Sequence, residues 1–245
     1  PGVPAEDGED VPVEVVHRGS SVPPLATSGL RNSKLDFESN AYTRIVRTDL
    51  VMTDAYVALP GERVVEGRAR SPGTARGEVV FTTAYTGYEE SLTDPSYEEQ
   101  VLTFSYPLVG NYGVREERFE SDRVHPSAVL ARELTDDVAD WLASEGVPAV
   151  DHLDTRDVVT EIRDEGAMRC GVAAGEDATA EDALAELEEC KHMSDHTDIG
   201  AQVSVDEPRV HNEDGDGATV ALIDCGAKKS IVDSLVDRDA VVHVL

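Results

Sequence analysis

Lysine is almost missing from this chain. Only Lys34, Lys191, Lys228 and Lys229 occur in 245 residues, and the basic residues number 21 against 50 acids. The formal net charge is −29 at pH 7. Such a surface repels phosphate backbones and anionic headgroups, so neither nucleic acid nor an anionic membrane is expected as a partner. The acids are spread along the chain rather than gathered in one tail, a pattern suited to a halophile. In concentrated salt the Debye length falls to about 3 Å, which relieves self-repulsion. Long apolar runs are missing too. No segment approaches the roughly 20 apolar residues of a membrane span, and no signal peptide is visible, so a soluble, cytoplasmic protein is expected. Cysteine is sparse: Cys170, Cys190 and Cys225 form no CxxC pair. Neither a zinc site nor a disulfide framework is therefore expected, and reduced thiols are the simplest state. No phosphate-cradling glycine loop of either common type occurs, which argues against ATP binding by this chain.

What is present is enough for one large or two ordinary domains, with 40% hydrophobic residues to build a core. Residues 1–51 stand apart. They are rich in Pro, Gly, Ser and acids without a sustained period, and read as a disordered extension. Met52 opens MTDAYVAL and is expected to be the natural start, with residues 1–51 as extra translated sequence. Ala55–Leu59 and Val64–Ala69 flank Pro60-Gly61, a hairpin signal. Turns at Pro72-Gly73 and Arg76-Gly77 lead into residues 77–113, which hold most of the aromatics and no Lys or Arg. There two β-type runs, Val79–Thr83 and Gln100–Tyr106, bracket a loop of turn formers, Thr86 to Tyr97. A short strand over His125–Leu130 completes a mostly β section.

Helical patterns follow. Leu134, Val138, Trp141 and Leu142 share one face, with Thr135 or Asp136 as cap and Gly146 as stop. A strand at Pro148–Val150 leads to a helix with Thr155 as N-cap, buried Val158, Val159 and Ile162, and Gly166 as C-cap. A strand at Met168–Ala173 precedes a helix over Ala180–Lys191, introduced by Thr179 and Asp182 at capping-box spacing. Residues 204–217 read as an acidic linker. Beyond it, Ala218–Ile223 and Ala240–Leu245 are continuous apolar strands around an amphipathic helix, Lys228–Asp237, with Ile231, Leu235 and Val236 on one side. That pattern is a βαβ unit with parallel strands.

Three segments carry a family resemblance: GEVVF at 77–81, TGYEESLTDPSYEEQ at 86–100 and YPLVGNYG at 106–113. They resemble the small, glutamine amidotransferase subunit of carbamoyl-phosphate synthase, and the likeness extends with gaps from about Met52 to Leu245. It implies a mixed α/β fold: an amino-terminal β/β/α-type domain over 52–203, a linker over 204–217, and the first βαβ unit of a flavodoxin-like class I glutamine amidotransferase domain over 218–245. It implies a ligase subunit that hydrolyses glutamine and passes ammonia to a large subunit, which uses ATP, Mg and bicarbonate. That large subunit and glutamine are the implied partners, a heterodimer serving arginine or pyrimidine biosynthesis. No cofactor or metal is expected on this chain itself. The resemblance also gives Ser96 of Thr93-Asp94-Pro95-Ser96-Tyr97 a role in binding glutamine. A hydroxyl both donates and accepts, which suits that role; completing the turn after Pro95 is the alternative.

The family's nucleophile needs a sharp G-x-C-x-G elbow, with a His–Glu pair as base. No such elbow occurs among the 245 residues. The catalytic cysteine and its His–Glu pair are thus expected beyond residue 245, and this chain alone is expected to be inactive on glutamine. Cys225 lies between a strand and a helix but has Ile223 two residues before it, and reads as a packing cysteine. His192, Asp195 and His196 have a spacing that could suit a metal, yet they sit at a helix end and read as solvated. Arg115–Arg123 reads as a charged, exposed segment. Tyr85, Tyr88 and Tyr97 divide between core and interface. Two rival readings stand: a non-catalytic scaffold module derived from this domain, and a different amidotransferase with a similar front domain.

Overall fold

The computed structural model describes residues 54–245; the expectations for residues 1–51 and for Met52 lie outside them. The chain first builds a closed barrel of seven strands. The nine strands of this region, seven of them in the barrel, are in chain order β1 (Ala55–Leu59), β2 (Arg63–Ser71), β3 (Gly73–Thr82), β4 (Gln100–Phe104), β5 (Leu108–Val109), β6 (Ala128–Leu130), β7 (Glu133–Leu134), β8 (Ala149–Asp151) and β9 (Met168–Ala174). The order around the barrel is β1-β2-β8-β6-β4-β3-β9, closed by antiparallel pairing of β9 with β1. β3, β4, β6 and β8 run parallel to one another, while β2 and β9 join that group antiparallel. β5 and β7 form a separate two-stranded parallel sheet.

Period-2 alternation explains the packing. Val57, Val101, Leu130 and Val172 belong to one buried cluster, whereas their neighbours Ala58, Leu102, Val129 and Ala173 belong to others. The first cluster is plugged by Val158 and Ile162 of a helix over Thr155–Glu165. Leu102 and Phe104 pack against a short helix, Tyr88–Leu92, and against Val138 and Leu142 of a helix over Asp136–Ser144. Ala58 and Ala173 pack against Ala183 and Leu187 of a helix over Ala180–Glu189. Each fully buried Leu or Val contributes about 1.5–3 kcal/mol relative to exposure. These helices are α1 (Tyr88–Leu92), α2 (Asp136–Ser144), α3 (Thr155–Glu165) and α4 (Ala180–Glu189). At Gly171 the α4 backbone lies so close to β9 that any Cβ would meet the Ala183 carbonyl and the Leu187 amide.

A buried carboxylate ties one side of the barrel. Asp151, with no exposed surface, accepts from Arg68 Nε and Nη2 at 2.9 Å each, Arg70 Nη1 at 2.8 Å and His152 Nδ1 at 2.7 Å. Burial would push its carboxyl up, but the bonds from Arg68, Arg70 and His152 outweigh that and hold it below the ordinary carboxylate range.

After α4 come a short helix α5 (Ile199–Val203), β10 (Arg209–His211), β11 (Thr219–Leu222), α6 (Lys229–Val236) and β12 (Val241–Val244). β11 and β12 pair in parallel around α6, giving the expected βαβ unit. The residues read as a linker over 204–217 include β10, which adds a third strand antiparallel to β12.

The local structure departs from the sequence pattern at several further points. Arg76-Gly77 is no turn but lies inside β3, its backbone paired with β9. The loop expected over Thr86–Tyr97 holds α1 and a single 3-10 turn, Pro95–Tyr97. Tyr88 and Leu92 recur at helical spacing and bury themselves together, a signal masked by the surrounding turn formers. The N-cap of α3 is Asp154, which accepts from the Asp157 amide, and Thr155 is buried behind it. On α6 the residue facing the core is Val232, while Ile231 is exposed. The capping box of Thr179 and Asp182 is present as expected.

Candidate functional site

Ser96 sits in the middle of the 3-10 turn and is exposed. Asp94 caps that turn: its Oδ1 accepts from the Ser96 amide at 2.9 Å. Its other oxygen, Oδ2, faces Lys228 Nζ at 3.3 Å, 134 residues away in sequence. Lys228 also reaches Glu120 Oε1 at 3.6 Å. Burial would lower the Lys228 ammonium, but Asp94 and Glu120 outweigh it and raise it. The turn at Asp224-Cys225-Gly226, just past β11, packs against Pro95: a Cβ on Gly226 would stand 3.0 Å from Pro95 Cβ and 2.9 Å from Val203 Cγ2. With φ at +92°, this position suits glycine on both counts. Asp224 shapes the turn by accepting from the Gly226, Ala227 and Val205 amides at 3.0, 2.8 and 2.8 Å. The Ser96 turn therefore stands at the carboxyl end of β11, beside the βαβ unit.

A second segment, Glu120–His125, braces this seam. Glu120 is buried and accepts at the start of α6, from the Lys229 amide through its carbonyl at 2.8 Å and from the Ser230 amide through Oε2 at 2.9 Å. Its own amide donates to Thr93 Oγ1 at 2.8 Å. Ser121 Oγ donates to the Thr93 carbonyl at 2.7 Å. A cavity of about 530 Å³ opens between this segment, α5 and the βαβ unit, lined by Pro95, Glu120, Arg123, Arg209 and Asp224 among others. Acidic, basic and apolar side chains all contribute to its wall.

Residues 57–172, covering β1 to β9, match the family described as carbamoyl-phosphate synthase small chain, CPSase domain. This part of the chain is a carbamoyl-phosphate synthase small-chain domain. The chain is 68% identical over 194 residues to the carbamoyl phosphate synthase small chain of Halobacterium salinarum, covering 79% of this chain and 54% of the relative. It is 40% identical over 166 residues to the small chain of Methanocaldococcus jannaschii, covering 66% and 47%. The chain thus spans about half the length of the curated relatives it matches. The crystal structure of Thermococcus kodakaraensis aconitase X (holo-form) aligns over 46% of this chain and 98% of that one at 18% identity and a TM-score of 0.32, too slight to bear on the fold. The salt-adapted composition agrees with the Halobacterium relative.

Around the small-chain domain, the remaining candidates separate. Cys225, expected to pack, is exposed, because Asp224 turns inward and the next side chain points out. His192 and His196 flank a 3-10 turn, Met193–Asp195, and no metal-ligating cluster forms among the described residues. Tyr88 is buried, Tyr97 half-buried and Tyr85 exposed. The Arg115–Arg123 segment is only partly exposed: Glu120 is buried, and Arg115 stands over the Tyr112 ring. No described helix is long and apolar enough to cross a membrane. Glu98, Glu120, His125 and Lys228 escaped the sequence reading. A lysine opening a helix, in a chain with four lysines, was the one available signal.

Proposed function

We propose that this chain works as the small subunit of a glutamine-hydrolysing carbamoyl-phosphate synthase, supplying ammonia to a large synthetase subunit. In this reading it docks on that subunit and presents Ser96 to the glutamine held across the seam. The observation that carries it is the fixation of the Ser96 turn: Asp94 caps it and binds Lys228, and Gly226 packs beneath Pro95. A hydroxyl held this way can donate to or accept from the ligand without reordering the backbone. The βαβ unit is then the opening of a flavodoxin-like class I glutamine amidotransferase domain, with the amino-terminal domain over 52–203 before it. ATP and Mg belong to the large subunit, and the chain needs no cofactor of its own. Cytoplasmic arginine or pyrimidine synthesis is the setting.

Ser96→Ala in the full-length gene product, assembled with its synthetase subunit, tests this. Losing one hydrogen bond raises the KM for glutamine about 5–10-fold and leaves ammonia-dependent synthesis unchanged. An unchanged KM for glutamine refutes the role of Ser96. The 245-residue chain by itself, lacking a G-x-C-x-G elbow, hydrolyses no glutamine; measurable glutaminase activity from it would contradict this.

A further inference from the structure

Ser121, His125 and Glu98 stand at distances that resemble a hydrolytic triad. Ser121 Oγ is 2.8 Å from His125 Nε2, and His125 Nδ1 is 2.6 Å from Glu98 Oε2. The serine is nevertheless not free to act as a nucleophile. Its single hydrogen goes to the Thr93 carbonyl at 2.7 Å, with the Arg123 carbonyl next at 3.1 Å, and the His125 ring meets the hydroxyl oxygen itself. What these bonds do is join two points of one loop. Thr93 lies just before the Ser96 turn, and Glu98 is the residue that closes it, its amide donating to the Pro95 carbonyl at 3.2 Å.

We propose that His125 and Glu98 are positioning residues for Ser96: the Ser121–His125–Glu98 chain braces both ends of the turn that presents the Ser96 hydroxyl. The inference rests on the glutamine role proposed for Ser96 and adds what holds that hydroxyl in place. His125 is 6% exposed, and its own amide donates to the Leu92 carbonyl at 3.0 Å, so the ring is fixed from the backbone outward. Glu98 receives a second charge-assisted bond from Arg123 Nη2 at 2.8 Å. Burial alone would raise the Glu98 carboxyl, but His125 and Arg123 outweigh it and hold it below its ordinary range, so it stays an acceptor at neutral pH. The same segment grips the start of α6 through Glu120. The brace therefore sets the Ser96 turn and the βαβ unit against one reference, as a binding group shared across a seam requires.

The test uses the full-length small chain in complex with its synthetase subunit. His125→Leu removes the donor to Glu98 and the contact to Ser121, and raises the KM for glutamine about 5-fold, no more than Ser96→Ala does, while kcat with ammonia stays at the wild-type value. His125→Asn keeps an N–H that can reach Glu98 and recovers a large part of the affinity, which a role limited to general stability would not produce. H125L combined with E98A is no worse than the more severe single variant, because both cut the same brace. Should H125L fail to assemble, Glu98→Gln keeps the shape and weakens one charge-assisted bond, raising the KM about 3-fold. A glutamine KM unmoved in these variants overturns the inference while leaving the Ser96 reading intact. So does an equal fall in ammonia-dependent synthesis, or an H125N variant no better than H125L. A wild-type complex with no glutamine-dependent synthesis overturns the Ser96 reading and this inference with it.

Discussion

Replacing Asp151 by Asn removes one negative charge from the barrel wall without changing its shape. In the folded protein the carboxylate accepts from Arg68 twice, from Arg70 and from His152, and the Leu134 amide lies 3.3 Å from it. The Arg68 side chain is 37% exposed, so water takes over much of its loss. The Arg70 side chain is only 13% exposed, and its guanidinium keeps Asp136 at 2.6 Å as its other carboxylate. Breaking a buried pair costs about 3–5 kcal/mol, and that remaining partner sets the expectation at the lower end, about 3 kcal/mol. Urea unfolding in concentrated KCl at pH 7 measures it as a lower midpoint at unchanged slope. The pH dependence follows in sign. The folded-state carboxyl is held below the ordinary value, so the unfolded chain binds its proton first. The stability Asp151 contributes is complete above the unfolded value, about pH 4, and is lost as pH falls through the folded value. The gap between wild type and D151N therefore stays constant from pH 8 to about 5 and closes in acid. A gap below about 1 kcal/mol at pH 7, or one that persists undiminished in acid, would refute the reasoning.

Two further outcomes test the packing. Gly171→Ala drives a methyl into the α4 backbone at Ala183 and Leu187, where nothing flexible can give way, and costs about 2–3 kcal/mol in the same unfolding assay. Thiol labelling of the native protein modifies one cysteine of three: Cys225 is exposed, whereas burial encloses Cys170 and Cys190 and pushes both thiols up. Denatured protein titrates all three, and a second thiol reacting natively would mean that α4 does not stay seated on β9.

The Halobacterium relative was foreshadowed by composition, and the domain by three short segments. Both are properties of residue identity, which the chain carries whatever its shape. β1, β2, β4, β6, β8 and β9 were legible as short apolar runs bounded by turn formers, whereas the first half of β3 was read as a turn at Arg76-Gly77, and β5 and β7, two residues each, are too short to show a period. The capping box at Thr179 was legible because its two partners are three residues apart. α1 was not, since Tyr88 and Leu92 offer only one helical repeat amid Gly, Thr, Asp and Pro. β10 was hidden because Arg209-Val-His211 is exposed on every side chain, and only pairing with β12 makes it a strand.

Sequence alone determined the charge, the elements with a clear period and the Thr93–Tyr97 motif. The tertiary structure decided which strands are neighbours, since β2 meets β8 and β3 lies between β4 and β9 across long stretches of chain. It also decided what surrounds Ser96. Lys228, Gly226 and His125 come from other parts of the chain, and no local pattern links them to that turn. Their selection depends on distance in space, which a period or a motif does not encode.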